Sequence, residues 1–285
     1  MAIVQDWLPA SRENYECILY LWIWYPILPS LQWFMAWYGM GKTSVESRFN
    51  IPGRIAWFTM ECPGFMTLLY IMKTLPAQHG IEDLPWQNQV LAGLFVLHYI
   101  YRAVIFPIIQ PSMSPIHVVV WGAAIMFQLT NATCIGSWLA AYGPMTQAEW
   151  KAQNSSVLQF FIGLVIFYVG LISNYFCDEE LREIRRQKQR RQEKLARDGQ
   201  KSIQKHYSVP ENGLFRYMLY PHYFMEWIEW TGFWVATGFS CTPARCFLLN
   251  EFFAMLPRAV NGAKWYKEKF GEDKIKGKWV VIPGV

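Results

Sequence analysis

The feature that most constrains this chain is a succession of apolar segments long enough to cross a membrane. A transmembrane helix needs about 20 mainly apolar residues, and about seven segments approach or exceed that length. With 53% hydrophobic residues and 15 tryptophans among 285 residues, a soluble domain would have to bury almost all of this mass in one core. We therefore predict an all-α integral membrane protein with about seven transmembrane helices in one bundle. The predicted spans are residues 16–39, 55–72, 89–109, 116–142, 157–176, 213–237 and 243–257.

Positive charge is concentrated between these spans and predicts the orientation. The segment 186–206 is strongly basic and resembles either a nucleic-acid-binding arm or a cytosolic loop, and the flanking apolar spans favour the loop. We expect it to continue the fifth span as a charged helix that extends into water. The positive-inside rule then places residues 1–15 in the lumen and the C-terminus in the cytosol. We expect a single membrane domain over residues 1–285. Its partner is the lipid bilayer itself, and we expect it to bind no nucleic acid. The predicted topology also leaves Asn154 in a luminal loop, within an Asn-Ser-Ser sequon.

The cysteine pattern gives no indication of a metal or redox centre. The six cysteines form no Cys-x-x-Cys pair and have no histidine cluster beside them. We therefore predict no metal site and interpret most of the cysteines as small apolar packing residues.

Ionisable side chains inside the spans are the first functional candidates, because charge at membrane depth is costly. Glu61 lies among aromatic residues, where a carboxyl group in its neutral form can donate a hydrogen bond, although it could instead be a structural bridge to another helix. Tyr99 and Arg102 follow in "LHYIYRAV", and Tyr99 alone would be read as an interfacial aromatic. If it lies beside Glu61, however, the Tyr99 hydroxyl and the Glu61 carboxyl form a candidate pair of hydrogen-bond donors.

Two further polar groups mark helices five and six. Asn174, Asp178, Arg182 and Arg185 recur at a spacing of about four, which places them on one helical stripe. Such a row suits a ligand with hydroxyl and phosphate groups, or it is a solvated helix end. In "YPHYFMEWIEWTGFW" two glutamates, Glu226 and Glu229, are interleaved with tryptophans, so this segment has no clean polar face. We expect Glu229 to pair with a basic residue such as Arg102 or Arg258.

Several motifs occur in the order typical of one family. They are "AWFTMECPGF", "LHYIYR", "SNYFCDEELREIRR", "YSVPENGLFRYMLYPHYFMEWIEWTGFWVAT" and "RAVNGAKWYKEKFGED" followed by "KWVVIPGV". Together they resemble the steroid 5α-reductase family from about residue 38 to the C-terminus, with an extended basic insertion after Arg186. Residues 130–285 resemble the family's C-terminal, cofactor-binding part.

The resemblance implies a seven-helix enzyme of the endoplasmic reticulum membrane that uses NADPH to reduce a C=C bond conjugated to a carbonyl. The implied substrate is a hydrophobic polycyclic lipid, either a sterol or steroid or a terpenoid, and we expect a monomer. By similarity, Glu61 and Tyr99 polarise the carbonyl, and Trp57 and Trp230 line the pocket. The residues implied at the NADPH site are Tyr38, Arg102, Gln110, Asn174, Asp178, Arg185, Tyr207, His222, Glu226, Arg258 and Tyr266.

The sequence departs from the family pattern on the cofactor side. Gln110 and His222 stand where relatives commonly have asparagine, and Gly262 and Ala263 stand where they often have histidine. These departures keep open an isomerase or cyclase that acts on a polycyclic lipid without hydride transfer.

Three other readings remain. A trans-2-enoyl-CoA reductase is one alternative, although the motif around Glu61 favours the steroid branch. An isoprenylcysteine-type methyltransferase is disfavoured, because no arginine precedes the "YPHY" turn. A membrane scaffold without catalytic activity is the last alternative.

Overall fold

Helices make up almost all of the regular structure in this protein. The computed structural model describes residues 2–35, 37, 39–153, 156–198 and 208–284. In this part of the chain, π-helical turns at Ile100–Ile105 and Trp138–Tyr142 extend two of the helices, and strands β1 (Asn50–Ile51) and β2 (Ile116–His117) pair antiparallel. The α-helices are α1 Arg12–Trp24, α2 Ile27–Ser30, α3 Gly53–Gln78, α4 Trp86–Tyr99, α5 Phe106–Ile109, α6 Val118–Ser137, α7 Gln147–Ala152, α8 Val157–Arg197, α9 Pro221–Ala236 and α10 Thr242–Phe270. The predicted all-α class is confirmed.

Four helical stretches of the described chain are long and apolar enough to cross a membrane. They are Gly53–Gln78, Trp86–Ile109, Val118–Tyr142 and Val157–Arg197, and they correspond to predicted spans two to five. The chain is thus an all-α membrane protein, while the number seven stays a prediction.

The helices found in the first and the last two predicted spans have different bounds from those predicted. The segment 16–39 is not one helix, because α1 ends at Trp24, two residues before Pro26, whose ring and missing N–H disfavour continuation. Within 213–237, a 3₁₀ turn precedes α9, which begins at Pro221. The predicted short span 243–257 is part of α10, which has 29 residues.

The basic segment begins as a continuation of the fifth predicted span. Helix α8 has 41 residues and runs without interruption to Arg197, a length of about 60 Å at roughly 1.5 Å per residue. The expectation that this span continues as a charged helix is therefore confirmed as far as residue 197; the rest of the insertion up to 206 lies almost entirely outside the described residues.

Helices α8 and α9 approach each other closely, and glycines permit this approach. A Cβ atom added to Gly163 would collide with the backbone of Ala236, and one added to Gly170 would collide with that of Glu229. In return, Gly232 of α9 packs against the backbone of Phe167. Small residues let helix backbones approach closely in a membrane, and here they bring the carboxylates of α9 next to the polar row of α8.

The C-terminal segment is fixed to the chain just before α9. Leu219 N–H donates to Trp279 O at 2.9 Å, and Tyr220 N–H donates to Val280 O at 3.0 Å. The Lys278 ammonium donates to the carbonyls of Pro210 and Phe215, and its partial burial lowers its pKa. This arrangement holds the start of α9 in place beside the final residues of the chain.

Candidate active site

Glu61 on α3 is paired with an amide that the sequence analysis did not single out. Gln128 Nε2 on α6 donates to Glu61 Oε2 at 2.5 Å, and both side chains are buried. Gly64 lies one turn along from Glu61, and a Cβ atom there would meet the Gln128 side chain, so this glycine leaves room for the amide. The only available sequence signal for Gln128 was a polar residue inside an apolar span.

Tyr99 at the end of α4 shares this buried region. Its side chain is 2% exposed, and Glu61 and Gln128 are among the polar groups that act electrostatically on its hydroxyl. Its ring packs between those of Phe95, at a centroid distance of 4.6 Å, and Trp230, at 6.4 Å. The structure thus brings the predicted pair Glu61 and Tyr99 into one region, with Gln128 as a third member.

A buried histidine–glutamate contact supports this region from behind. His98 Nδ1 lies 2.7 Å from Glu229 Oε1, and the His98 ring packs against the rings of Tyr99 and Trp230 at 4.9 and 4.8 Å. The predicted pairing of Glu229 with Arg102 or Arg258 is therefore wrong. The adjacent rings of His98 and Tyr99 both pack against Trp230 of α9, and His98 also reaches Glu229 on the same helix.

Arg102 lies in the π-helical segment and is surrounded by acidic groups. Its guanidinium stacks on Trp57 and Phe106 at 4.9 and 5.2 Å, and Trp57 Nε1 donates to Arg102 O at 2.9 Å. Trp57, predicted to line the pocket, therefore also supports Arg102. Four carboxylates act on Arg102 electrostatically, yet none in the described chain comes within ion-pair distance of it. These carboxylates belong to Glu61, Asp178, Glu226 and Glu251.

The predicted row on α8 faces the end of the α4–α5 stretch. Tyr101 O–H donates to Asp178 Oδ2 at 3.2 Å and accepts from Arg182 Nη1 at 3.0 Å. Arg185 Nη1 donates to Gln110 Oε1 at 2.7 Å. Gln110, one of the departures from the family pattern, is therefore joined directly to the row, while Tyr101 is a member that sequence reasoning missed.

The other end of the row contacts α9. Asn174 Nδ2 donates to His222 O at 2.9 Å and to Glu226 Oε2 at 3.4 Å. The interaction with position 222 is thus made by the backbone carbonyl, which any residue there would provide. Asn174, Asp178 and Glu226 are all buried, with 5 to 6% of their surface exposed.

Helix α10 contributes a further set of residues. Arg258 Nε donates to Gln32 Oε1 at 2.6 Å, and the Tyr266 ring packs against Tyr220 at 6.2 Å. The Tyr220 hydroxyl occupies the space above Gly262 that a Cβ atom would fill. Glu251, which sequence reasoning missed, acts electrostatically on Glu226, Arg102, Arg258 and Glu61, and so joins this helix to the rest of the site.

Three residues of the sequence analysis lie outside the described part of the chain. These are Tyr38 and Tyr207, predicted at the cofactor site, and Asn154 of the sequon.

The geometry therefore has two connected parts. One is a nearly dry group of a carboxyl, an amide and a phenol, which suits a carbonyl oxygen that gains negative charge. The other is a row of amides, guanidinium groups and carboxylates, which suits the hydroxyls and phosphates of a nucleotide.

Comparison with known proteins identifies the family. The family profile described as 3-oxo-5-alpha-steroid 4-dehydrogenase matches residues 114–285. An uncharacterized protein of Schizosaccharomyces pombe is 33% identical over 240 residues, covering 80% of this chain and 83% of the relative. Steroid 5-alpha-reductase DET2 of Solanum lycopersicum is 29% identical over 275 residues, covering 95% of each chain. The 3-oxo-5-alpha-steroid 4-dehydrogenase 1 of Rattus norvegicus is 29% identical over 270 residues, covering 91% of this chain and 94% of the relative. The chain belongs to the 3-oxo-5-alpha-steroid 4-dehydrogenase family, that is, to the steroid 5α-reductase family of membrane oxidoreductases.

Proposed function

We propose that this protein uses NADPH to reduce a C=C bond conjugated to a carbonyl in a sterol, steroid or terpenoid lipid. The observation that carries the proposal is the buried group of Glu61, Gln128 and Tyr99, beside Arg102, on which Glu61 and Asp178 of the polar row both act electrostatically. A family of steroid reductases provides the reaction type.

In the proposed reaction, Tyr99 and Glu61 hold the substrate's carbonyl oxygen. Hydride addition to the β-carbon moves negative charge onto that oxygen, and two fixed donors in a dry site stabilise it. Gln128 Nε2 donates to Glu61 Oε2, which leaves Oε1 of the neutral carboxyl to keep the proton and donate a hydrogen bond to the carbonyl oxygen. The α-carbon then receives a proton from water.

The polar row of α8 and its neighbours would hold the cofactor, which supplies the hydride when it is bound. The donor set fits a dinucleotide: Arg102 is not ion-paired within the described chain, and Arg182 Nη2 is buried without a hydrogen-bond partner there. The proposed cofactor residues are Tyr38, Arg102, Gln110, Asn174, Asp178, Arg185, Tyr207, His222, Glu226, Arg258 and Tyr266. Trp57 and Trp230 would line the pocket between substrate and nicotinamide.

We further propose that the enzyme resides in the membrane of the endoplasmic reticulum as a monomer. The distribution of positive charge supports a luminal N-terminus and a cytosolic C-terminus. Its substrate would then enter from the bilayer and NADPH from the cytosol.

The test uses purified protein in lipid nanodiscs with a 3-oxo-Δ4-steroid and either NADPH or NADH. We expect a product two hydrogens heavier, formed with NADPH, and loss of this product in Glu61→Gln and Tyr99→Phe. Conversion without a reduced nicotinamide, at unchanged mass, would instead show an isomerase. Reduction of a trans-2-enoyl-CoA in place of the steroid would show an elongation-type reductase.

A further inference from the structure

The C-terminal end of α8 carries a row of basic side chains that the proposed active site does not use. Between residues 186 and 198 this end of the helix contains six basic and two acidic residues. Arg186, Arg190, Lys194 and Arg197 recur at intervals of four, four and three residues, so they lie on one face of the helix. The last three of them are exposed. These four residues are called the basic stripe below.

The basic stripe continues the outer, apolar side of α8. Eighteen residues make about five turns of an α-helix, so two residues that far apart point in the same direction. Arg190 follows Ile172 by 18 residues, and Lys194 follows Phe176 by the same number. Ile172 is 52% exposed and Phe176 is 65% exposed, as expected for side chains that face lipid. The side of α8 that faces lipid within the membrane therefore becomes basic beyond it.

The cofactor row of α8 lies on a different side of the helix. Asn174 contacts α9, Asp178 accepts from Tyr101, and both row residues are buried. The residues 18 positions after them are Gln192 and Ala196, which carry no charge. The basic stripe is thus turned away from the proposed nucleotide site, so contact with a bound cofactor does not explain it.

Much of the positive charge of the stripe is not neutralised within the described chain. Arg186 pairs with glutamates one and two turns before it. Arg190 reaches the nearer of these glutamates only at 4.0 Å, and its side chain is 72% exposed. Lys194 and Arg197 form no ion pair with another described residue. The outer half of the stripe therefore offers its charge to an anionic partner.

The direction of α8 inclines these side chains toward the membrane. Side chains of an α-helix lean toward its N-terminus, and the N-terminal half of α8 contains the apolar span 157–176. Glu179 is the first charged residue on the outer face after Phe176, and Arg186 lies about 10 Å beyond it along the helix axis. A headgroup layer is about 5–7 Å thick, and charges act over about 8 Å at physiological ionic strength. The first turns of the stripe therefore lie within range of lipid phosphates.

We propose that the basic stripe of α8 binds the anionic headgroups of acidic phospholipids in the leaflet from which the helix emerges. A cluster of four to eight basic residues directly after a transmembrane helix is the pattern that attracts such lipids. Under the proposed orientation this leaflet is the cytosolic one, whose surface is negatively charged. The binding involves neither substrate nor cofactor, and it therefore goes beyond the proposed reaction.

The test measures displacement of a phosphatidylserine with a fluorescent acyl chain from the full-length protein in detergent. Unlabelled phosphatidylserine and phosphatidylcholine compete in parallel titrations. We expect phosphatidylserine to bind about tenfold more tightly, because each basic side chain near a membrane surface contributes roughly a fivefold gain. Inorganic phosphate, added in place of chloride at the same ionic strength, should not displace the labelled lipid, which distinguishes a headgroup from free phosphate.

Two charge-matched double variants assign the preference to the stripe. Arg190→Gln with Lys194→Gln removes two charges from the stripe and should lower the ratio of the two lipid affinities about fivefold or more. Lys188→Gln with Arg191→Gln removes the same charge from the same turns of α8 but lies off the stripe, and it should change the ratio less than about twofold. Glutamine is a good helix former, so all four substitutions are compatible with the helix.

Three results would overturn the proposal. One is equal binding of the two lipids to the unmodified protein, and another is an equal loss of preference in both double variants. The third is tight binding of polyglutamate or RNA without a preference for phosphatidylserine, which would assign the stripe to a soluble acidic macromolecule.

The unmodified protein decides the question even if a variant does not fold. Its preference for phosphatidylserine should weaken as the salt concentration rises from about 0.05 to 0.5 M, because exposed charges are screened; a preference that does not change with salt would contradict the proposal. Since neither substrate nor NADPH is present, a protein without reductase activity would overturn the proposed function and leave the lipid site standing.

Discussion

His98 Nδ1 lies 2.7 Å from Glu229 Oε1, and this contact joins α4 to α9 directly behind the ring of Tyr99. Neither side chain is appreciably exposed, so removal of one partner leaves the other polar group unpaired in the bundle. We expect His98→Phe to destabilise the protein by about 3–5 kcal/mol, measured by denaturant unfolding in detergent. Glu229→Gln keeps an oxygen at the same place and should cost clearly less, and an equal loss in both variants would contradict this account.

Gln128 should matter for catalysis more than for cofactor binding. In Gln128→Leu, Glu61 loses the donor that fixes its orientation, and we expect kcat/KM for the enone to fall about 10- to 100-fold. The Kd for NADPH, measured by fluorescence, should stay the same. The control is Gln147→Leu, since Gln147 pairs with Gln87 away from Glu61; an equal fall there would show a general effect on the fold.

Two helical glycines provide a test of crowding around Gln128. A Cβ atom at Gly64 would meet the Gln128 side chain, whereas one at Gly93 on α4 would meet nothing within 4 Å. Gly64→Ala should therefore lower the steady-state rate severalfold by displacing the amide. Gly93→Ala should be neutral or slightly stabilising, because alanine is the better helix former. Identical rates in both variants would mean that the position of Gln128 is not critical.

Variants of two neighbouring arginines on α8, Arg185 and Arg186, should distinguish an effect on cofactor binding from an effect on helix stability. Arg185 donates to Gln110, while Arg186 pairs with Glu179 on its own helix. We expect Arg185→Gln to raise the Kd for NADPH about tenfold or more, since charge-assisted contacts to phosphate are strong. Arg186→Gln should leave this Kd unchanged. A salt titration gives a second readout, because the loss in Arg185→Gln should be smaller at high ionic strength.

We predict that position 262 has to be glycine because of the neighbouring Tyr220 side chain, and not because of the cofactor. A Cβ atom at position 262 would collide with the Tyr220 hydroxyl, so Gly262→Ala should lower the melting temperature by several degrees, equivalent to about 1–3 kcal/mol. Tyr220→Phe removes the closest colliding atom but keeps the ring carbon Cζ, which would lie 2.6 Å from the added Cβ, so the double variant should recover part of the loss. If the second change gives no recovery, the strain lies elsewhere.

The sequence alone singles out candidate residues whose charge or family motif marks them. Glu61, Tyr99 and the row of Asn174, Asp178 and Arg185 could be found because such residues are rare in apolar spans or recur at helical spacing. The all-α membrane class followed in the same way from segment length and composition.

The partners of these residues could not be predicted, because helix rotation and crossing are set by packing. Helix α3 is apolar around most of its surface, so periodicity does not show that Glu61 faces Gln128 of α6. For the same reason Glu229 was assigned to an arginine instead of to His98. Glu251 carried no motif, and its place near Arg102 and Glu61 depends on how α10 lies against α9.

The π-helical segment at Ile100–Ile105 has a consequence for how such a site can arise. A π turn contains one residue more than an α turn and rotates everything that follows it. Tyr99, before the turn, faces Trp230, while Tyr101 and Arg102, within it, face Asp178 and Trp57. Under the proposed function, one extra residue therefore lets one continuous helix serve two different ligands. Deletion of one residue from this segment would turn Tyr101 and Gln110 away from α8 while leaving Glu61 and Tyr99 in place.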